Sequence, residues 1–287
     1  MTVLLSVRHS SPVRFCPMGT PLWTPQFDAA LNYPFSPLTV RYAVCTAPRS
    51  GSHHLGHLLR AHGLGYPLEY LQAHNYAEWS RRAERESGVD TLTYIKSLRT
   101  DRGTFGLKLH HTHLSAFLTH EQDVASYRYL TIGRRDLIRQ AVSYAWAAQT
   151  GAWITGMTEQ GPAVYDYQAI KAKLRATTES AAGWRMFFAQ RGITTLDLVH
   201  EDVLADPNGT IEKVGAFLGV VPSSVPGFIP DEQADAGKAE WAARFLQDSH
   251  RDHERYRHPQ PARPKTGMAI VQSWYAARRR HAQSVAL

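Results

Sequence analysis

Long hydrophobic runs are missing from this chain of 287 residues. No segment approaches the roughly 18 consecutive apolar residues that a membrane-spanning helix needs, so the sequence predicts no membrane span. Arg8 and His9 interrupt the apolar start of the chain, and we therefore expect no signal peptide. Cysteine is scarce as well: Cys16 and Cys45 are the only two, and Cys45 lies in an apolar run typical of a buried free thiol. We expect a soluble protein of a reducing compartment, the cytoplasm.

A strong basic field is also missing from most of the chain, although the formal net charge is +7. Eight basic and two acidic residues lie between 251 and 287, which leaves 24 basic and 23 acidic residues before them. A protein that coats nucleic acid needs many phosphate contacts on one face, so we expect no nucleic-acid partner. The hydrophobic fraction of 43% is enough for a packed core and excludes wholesale disorder.

Proline separates the two ends of the chain from its middle. Six prolines occur within residues 1–38, a spacing that predicts an extended arm. The sequence becomes Pro-rich and basic again near its end. We therefore expect a Pro-rich N-terminal extension over 1–38, one domain over 39–257 and a basic C-terminal tail over 258–287.

Apolar strands alternate with amphipathic helices in the middle of the chain. The pattern predicts strands at 42–47, 104–109, 127–132 and 194–199. It predicts helices at 53–62, 137–150, 167–188 and 207–218, with Asp136 and Asp206 as N-caps. Such alternation is typical of a single-domain α/β fold with a central, mostly parallel sheet flanked by helices.

The turn Pro48-Arg49-Ser50-Gly51-Ser52 between the first strand and the first helix favours an anion site. A helix N-terminus offers unpaired amide groups, Gly51 allows close approach of the backbone, and Arg49 adds a charged fork. The turn contains no lysine, which argues against a nucleotide triphosphatase. An ordinary serine-rich turn that caps a helix is the alternative.

A second candidate anion site follows the third strand. Arg134 and Arg135 end that strand, and Ser143 lies about two helical turns further on. Together they could hold a second anion beside the first, and a surface arginine pair with a buried serine is the alternative.

Histidine is frequent enough to raise the question of a metal. Two groups stand out: His53, His54 and His57, and His110, His111 and His113. Zinc normally requires four convergent ligands, often with Cys or a carboxylate among them. With 15 His in the chain, we expect these groups to be incidental and expect no metal.

Taken in chain order, these segments resemble a sulfotransferase dependent on 3′-phosphoadenosine 5′-phosphosulfate (PAPS), most of all the bacterial trehalose 2-sulfotransferase-like family. The turn at 48–52 resembles that family's 5′-phosphosulfate loop, and Arg-Arg-Asp-x-x-x-Gln-Ala-Val-Ser at 134–143 resembles its 3′-phosphate segment. Glu-Asp-Val-Leu-Ala-Asp-Pro at 201–207 is similar to a block common among sulfotransferases. The resemblance spans about 42–256 and implies a P-loop-like sulfotransferase fold.

The resemblance also implies a cofactor site for PAPS, with adenosine 3′,5′-bisphosphate as the product. The implied cofactor-binding residues are Arg49, Ser50, Gly51, Ser52, His53, Arg134, Arg135 and Ser143. His53 stands where the family usually has Thr, and His200 stands where Tyr is usual. The resemblance does not decide whether Arg134 or Arg135 holds the 3′-phosphate.

The catalytic residues that the resemblance implies are Glu69, Arg49 and Lys108. Glu69 lies in Gly63-Leu64-Gly65-Tyr66-Pro67-Leu68-Glu69-Tyr70, which is similar to a family segment whose glutamate deprotonates the acceptor. A pKa raised by partial burial would suit such a base. Lys108 would support the transferring group, and His110 is the alternative base.

The acceptor is expected to be a small hydroxylated molecule, a sugar or another metabolite. Tyr70, Trp79, Trp146 and Trp153 offer rings for stacking on a sugar, although core packing is the default for each. The oligomeric state stays open, with a homodimer as one alternative. A non-catalytic nucleotide- or carbohydrate-binding module and a nucleotide-dependent kinase are the competing functions.

Overall fold

The computed structural model describes residues 26–154, 157–223 and 236–253. The chain divides into two compact units, Met1–Ala239 and Glu240–Leu287. Most of the predicted N-terminal extension and all of the basic tail lie outside the described residues. The boundaries at residues 38 and 257 therefore remain predictions.

Four parallel strands form the sheet of the described residues. They are β1 (Val40–Thr46), β2 (Thr104–His110), β3 (Tyr127–Gly133) and β4 (Thr195–Val199). Their order is β2-β1-β3-β4, and every neighbouring pair runs parallel. The predicted central parallel sheet is confirmed, with strand ends within two residues of those expected.

Helices connect the strands and continue beyond the last one. They are α1 (Ser52–Ala61), α2 (Ala73–Glu86), α3 (Thr91–Arg99), α4 (Leu114–His120), α5 (Leu137–Thr150), α6 (Tyr167–Arg191), α7 (His200–Ala205), α8 (Pro207–Leu218) and α9 (Ala236–His253). The predicted caps are confirmed, since Asp136 accepts from the Arg139 amide and Asp206 from the Gly209 amide. No helix within the described ranges is long and apolar enough to cross a membrane.

The period-two pattern of the strands divides the core into two clusters, one on each face of the sheet. Ala43 and Cys45 of β1 belong to the cluster that contains buried residues of α2, α3, α4 and α6. Tyr42 and Val44 belong to the cluster that contains buried residues of α1, α7 and α8. Alternate side chains of a strand point to opposite faces, so both faces of β1 are covered. The Cys45 thiol is buried and free, as predicted.

The described part of the predicted extension packs on the helices that precede β2. Leu31 is only 2% exposed and belongs to the core cluster of α2 and α3. Arg99 donates to the Gln26 carbonyl at 2.8 Å, and Arg82 donates to the Phe27 carbonyl at 3.1 Å. Residues from 26 onward therefore contribute to the folded core.

The carboxyl ends of the strands meet at one edge of the sheet. Because β1 lies between β2 and β3, the chain leaves β1 and β3 in opposite directions along the sheet. In open α/β sheets, ligands bind in the crevice at such a reversal of strand order. The turn at 48–52, which we call the anion loop, follows β1 directly and lies at this edge.

Candidate active site

Two residues of the anion loop have an uncommon backbone conformation. Arg49 has φ +64° and Gly51 has φ +88°, both in the left-handed region. A non-glycine residue in this region costs about 1–2 kcal/mol, and such strain is typical of functional sites. Helix α1 begins at Ser52 without any side-chain cap. Its first-turn amides are therefore available to a bound anion.

Two contacts anchor the loop from outside the predicted motif. Gln140 of α5 donates to the Pro48 carbonyl at 2.9 Å. Ser50 is fully buried and its hydroxyl contacts that of Thr46, which also donates to the Ile132 carbonyl at 2.9 Å. Ser50 thus ties the loop to β1 and β3. Sequence reasoning missed these contacts of Thr46 and Gln140, because they depend on distant segments.

Arg49 carries a charge that no acidic group of the described residues balances. Its Nε donates to Ser143 Oγ at 2.9 Å, and its Nη1 donates to the Trp153 carbonyl. Burial and the nearby charge of Arg134 lower the pKa of Arg49 to about 10. A guanidinium group with only neutral oxygen partners attracts an anion. Ser143 therefore lies at Arg49, where it supports the loop side of the site.

The two arginines after β3 have different surroundings. Arg135 Nη2 lies 2.6 Å from both carboxylate oxygens of Asp202, and its amide donates to Glu201 Oε2 at 3.1 Å. The Arg135 side chain is also 59% exposed. Arg134 lies close enough to Arg49 for its charge to lower the pKa of that residue. The loop edge thus combines Arg49 with Arg134, while Arg135 bridges to α7.

Histidine rings surround the start of α1. His53 Nε2 lies 2.9 Å from His57 Nε2, one helical turn further along. His200 is 4% exposed and covers Gly51 so closely that a Cβ at Gly51 would lie 2.0 Å from its Nδ1. The sequence marked His200 only as an unusual residue. His200 directly follows β4, and the end of that strand places its ring against Gly51 of the loop.

Glu69 lies at the same edge because its segment runs along β2. The Lys108 amide donates to the Leu68 carbonyl at 2.9 Å, and Leu68 forms a parallel bridge with Leu107. Asn75 Nδ2 donates to the Glu69 carbonyl at 3.0 Å. These backbone contacts fix Glu69 beside the carboxyl end of β2.

Two cationic or potentially cationic groups meet one oxygen of the Glu69 carboxylate. Lys108 Nζ lies 2.9 Å from Oε1, and His110 Nε2 lies 3.3 Å from the same atom. The described residues give Oε2 no hydrogen-bond partner. The structure thus brings together the three residues that the resemblance implies as base, alternative base and supporting cation.

The charge around Glu69 lowers its pKa. Burial raises the pKa of Glu69, but Lys108 and His110 outweigh it and hold the pKa well below its ordinary value. The raised pKa that would suit a general base is therefore not found in the protein without ligands, because a buried lysine faces the carboxylate directly. His113 accepts from the His110 amide at 3.3 Å, and burial together with His110 lowers the pKa of His113 to about 4. His113 is therefore neutral at neutral pH.

The aromatic candidates divide into core and surface. Tyr70 and Trp79 are buried in the core and present no ring to a ligand. Trp146 Nε1 donates to Glu159 Oε1 at 2.6 Å. Trp153 is exposed and adjoins Arg49 through its carbonyl group.

Within the described ranges, no group of three or more His, Cys, Asp or Glu side chains could hold a metal ion.

Comparison with known proteins assigns the chain to a class of transferases. Residues 41–248 match the family model described as Stf0 sulphotransferase. The match covers more than half of the chain, so this protein belongs to the Stf0 sulphotransferase family. The predicted resemblance is confirmed, and the observed parallel sheet with its helices confirms the α/β class.

Individual relatives carry a more specific name. The chain is 27% identical to the trehalose 2-sulfotransferase of Mycolicibacterium smegmatis, over 74% of this chain and 96% of that protein. It is also 27% identical to the trehalose 2-sulfotransferase of Mycobacterium tuberculosis, over 43% of this chain and 47% of that protein. Among solved structures, a sulfotransferase from Alicyclobacillus acidocaldarius aligns over 74% of this chain and 94% of its own, at 15% identity and a TM-score of 0.43.

Proposed function

We propose that this protein transfers the sulfuryl group of PAPS to a hydroxyl group of a carbohydrate. The observation that carries the proposal is the Arg49 guanidinium, which has no acidic partner among the described residues and lies at an uncapped helix start, on the sheet edge that also holds Glu69. The family membership supports sulfuryl transfer as the reaction. Because the relatives are named for trehalose, trehalose is the first acceptor to test.

The residues present suit the proposed donor. The α1 amides and Arg49 would hold its 5′-phosphosulfate, since both offer donors to an anion. Arg134 would hold the 3′-phosphate, because its charge lies close to Arg49, whereas the Arg135 side chain is 59% exposed and pairs with Asp202. When bound, the donor supplies a sulfuryl group whose sulfur–oxygen bond to phosphate breaks during transfer. His53 would contribute little, since its ring faces His57.

Glu69 is the proposed general base. Its Oε2 would accept the hydroxyl proton as the acceptor oxygen bonds to sulfur, while Lys108 and His110 hold Oε1. Arg49 and the loop amides would stabilise the negative charge that develops on the departing phosphate oxygen. The products are the sulfate ester and adenosine 3′,5′-bisphosphate, and the acceptor proton resides on Glu69.

The decisive experiment incubates the protein with 35S-labelled PAPS and trehalose, together with a panel of other sugars and hydroxylated metabolites. A labelled sulfate ester supports the proposal. PAPS binding without turnover would instead indicate a non-catalytic binding module. ATP-dependent phosphorylation of the same acceptors without use of PAPS would indicate a kinase, which the lysine-free loop disfavours.

Replacement of the base separates chemistry from binding. We expect Glu69→Gln to lower turnover by about 10²–10⁴-fold, the usual contribution of a general base. Affinity for adenosine 3′,5′-bisphosphate, measured by calorimetry, should change little. Glu84→Gln is the matched control, since Glu84 is exposed on α2. Near-normal turnover of Glu69→Gln would make His110 the first candidate for the base.

A further inference from the structure

Lys108 is buried, whereas the other charged residues of the site are partly or fully exposed. It lies on β2 beside Val44 of β1 and is 6% exposed. Val44 points to the face of the sheet that α1 covers, and paired residues of parallel strands point the same way. Lys108 therefore projects toward the side of the sheet on which the anion loop enters α1.

The Lys108 ammonium group now binds the proposed base. Its Nζ lies 2.9 Å from Glu69 Oε1, with both side chains largely buried. A carboxylate held in this way is ionised but weakly basic. When Glu69 accepts a proton from a hydroxyl group, it loses its favourable ion pair with Lys108. The resting arrangement thus opposes the chemistry that the site is proposed to perform.

We propose that Lys108 moves from Glu69 to the sulfuryl oxygens when the donor binds, so that Glu69 becomes an effective base only in the donor complex. The inference rests on the proposed function and assigns Lys108 a second role in it. A lysine ammonium is a compact charge on a flexible four-carbon stem, which suits exchange between two anions in reach. Coupling the base to the donor would keep Glu69 inactive toward the acceptor until a sulfuryl group is present.

The groups that set the charge at Glu69 are few. Lys108 and His110 contact the carboxylate directly. His113 is the third titratable group near enough to interact with Glu69, and it is neutral at neutral pH. Removal of Lys108 from the carboxylate takes away one of the two groups that lower the pKa of Glu69. The pKa of Glu69 is therefore higher without the contact to Lys108 than with it.

The test measures the pKa of Glu69 by NMR on protein with 13C-labelled glutamate, with the resonance assigned by its loss in Glu69→Gln. The protein is titrated alone, with adenosine 3′,5′-bisphosphate and with PAPS. The bisphosphate is a close control, because it matches the donor in formal charge when fully ionised and lacks only the sulfuryl group. We expect PAPS to raise the pKa of Glu69 by at least one unit above the value with the bisphosphate.

Two variants distinguish the effect of Lys108 on the pKa of Glu69 from the electrostatic effect of the bound nucleotide. Lys108→Met should raise the pKa of Glu69 in the protein alone and should abolish the difference between the two nucleotides. Lys96→Met is the matched control, because Lys96 forms a comparable buried pair with a different carboxylate, that of Glu121, at 2.6 Å. It should leave Glu69 unchanged.

The outcomes distinguish this inference from the function on which it rests. Equal Glu69 pKa values with PAPS and with the bisphosphate, in a protein that still transfers sulfuryl groups, would overturn the inference alone. An unchanged pKa in Lys108→Met would overturn it as well. Failure of PAPS to bind would remove the proposed function and the inference together.

Discussion

Gly51 and His200 provide a sharp test of how the anion loop is held. A Cβ at Gly51 would lie 2.0 Å from His200 Nδ1 and 2.5 Å from its Cγ. Both are ring atoms of a buried side chain, so a small side-chain rotation does not relieve the overlap. Gly51→Ala therefore introduces two separate costs, backbone strain and steric overlap.

Each cost has a known size. Alanine at φ +88° costs about 1 kcal/mol relative to glycine. Insertion of a methyl group into a filled space costs about 1–3 kcal/mol. We therefore expect Gly51→Ala to lower the free energy of unfolding by about 3 kcal/mol, which corresponds to a decrease in Tm of roughly 6–12 °C for a domain of this size.

A double-mutant cycle separates the two costs. In the background of His200→Ala the overlap is gone and only the backbone strain remains, so Gly51→Ala should then cost about 1 kcal/mol. The coupling energy between the positions is expected to be about 2 kcal/mol, within the range known for residues in contact. Urea unfolding gives the free energies, and calorimetry gives the affinity for adenosine 3′,5′-bisphosphate.

Gly133→Ala is the matched control at the same edge of the sheet. A Cβ at Gly133 would meet no atom within 4 Å. This variant should stay within about 0.5 kcal/mol of the unmodified protein, as surface substitutions usually do. The reasoning is refuted if Gly51→Ala is as mild as Gly133→Ala, or if His200→Ala leaves the cost of Gly51→Ala unchanged.

Two further predictions concern charge. Arg134→Ala should weaken binding of adenosine 3′,5′-bisphosphate in calorimetry by about 10- to 100-fold, the usual contribution of a charged hydrogen bond. Arg135→Ala should change this affinity less than about threefold, because Arg135 is held in an exposed ion pair. Equal losses of affinity in the two variants would contradict this division. The pKa of Glu69 lies below its unfolded value, so its ion pair stabilises the fold above about pH 4.3 and is lost as the pH falls. Lys108→Met should therefore reduce the free energy of unfolding more at pH 7 than at pH 3.5, and a pH-independent loss in urea unfolding would contradict the pairing.

The elements of this fold could be predicted from local sequence because their signals are local. Tyr42 to Ala47 form an apolar run, and Asp206-Pro207 combines a cap with a residue favoured at the first helical position. The strand and helix bounds observed for both segments agree with the prediction within two residues. Helices α2 and α3 were not predicted.

The contacts of the site could be predicted only in part, since they join residues far apart in sequence. The presence of Arg49, Glu69 and Lys108 in the site followed from the family resemblance. The pairing of Ser143 with Arg49 did not, because it depends on how α5 packs against the loop 94 residues earlier. Likewise, the bridge between Leu68 and Leu107 sets the Glu69–Lys108 contact, and no short-range pattern reports it. The low pKa of Glu69 follows in part from that contact, so it could not be predicted from local sequence either.

The anion loop contains no lysine, and Lys108 of β2 supplies a lysine to the site instead. In a nucleotide triphosphatase the lysine belongs to the phosphate loop and serves the phosphates directly. Here the lysine comes from the neighbouring strand and lies 2.9 Å from a carboxylate. In the proposed mechanism, a cation in this position would serve the donor only at the expense of its contact with Glu69, because one ammonium group cannot fully neutralise two anions. Donor recognition and base strength would then be linked through a single charge, which a lysine on the loop would not achieve.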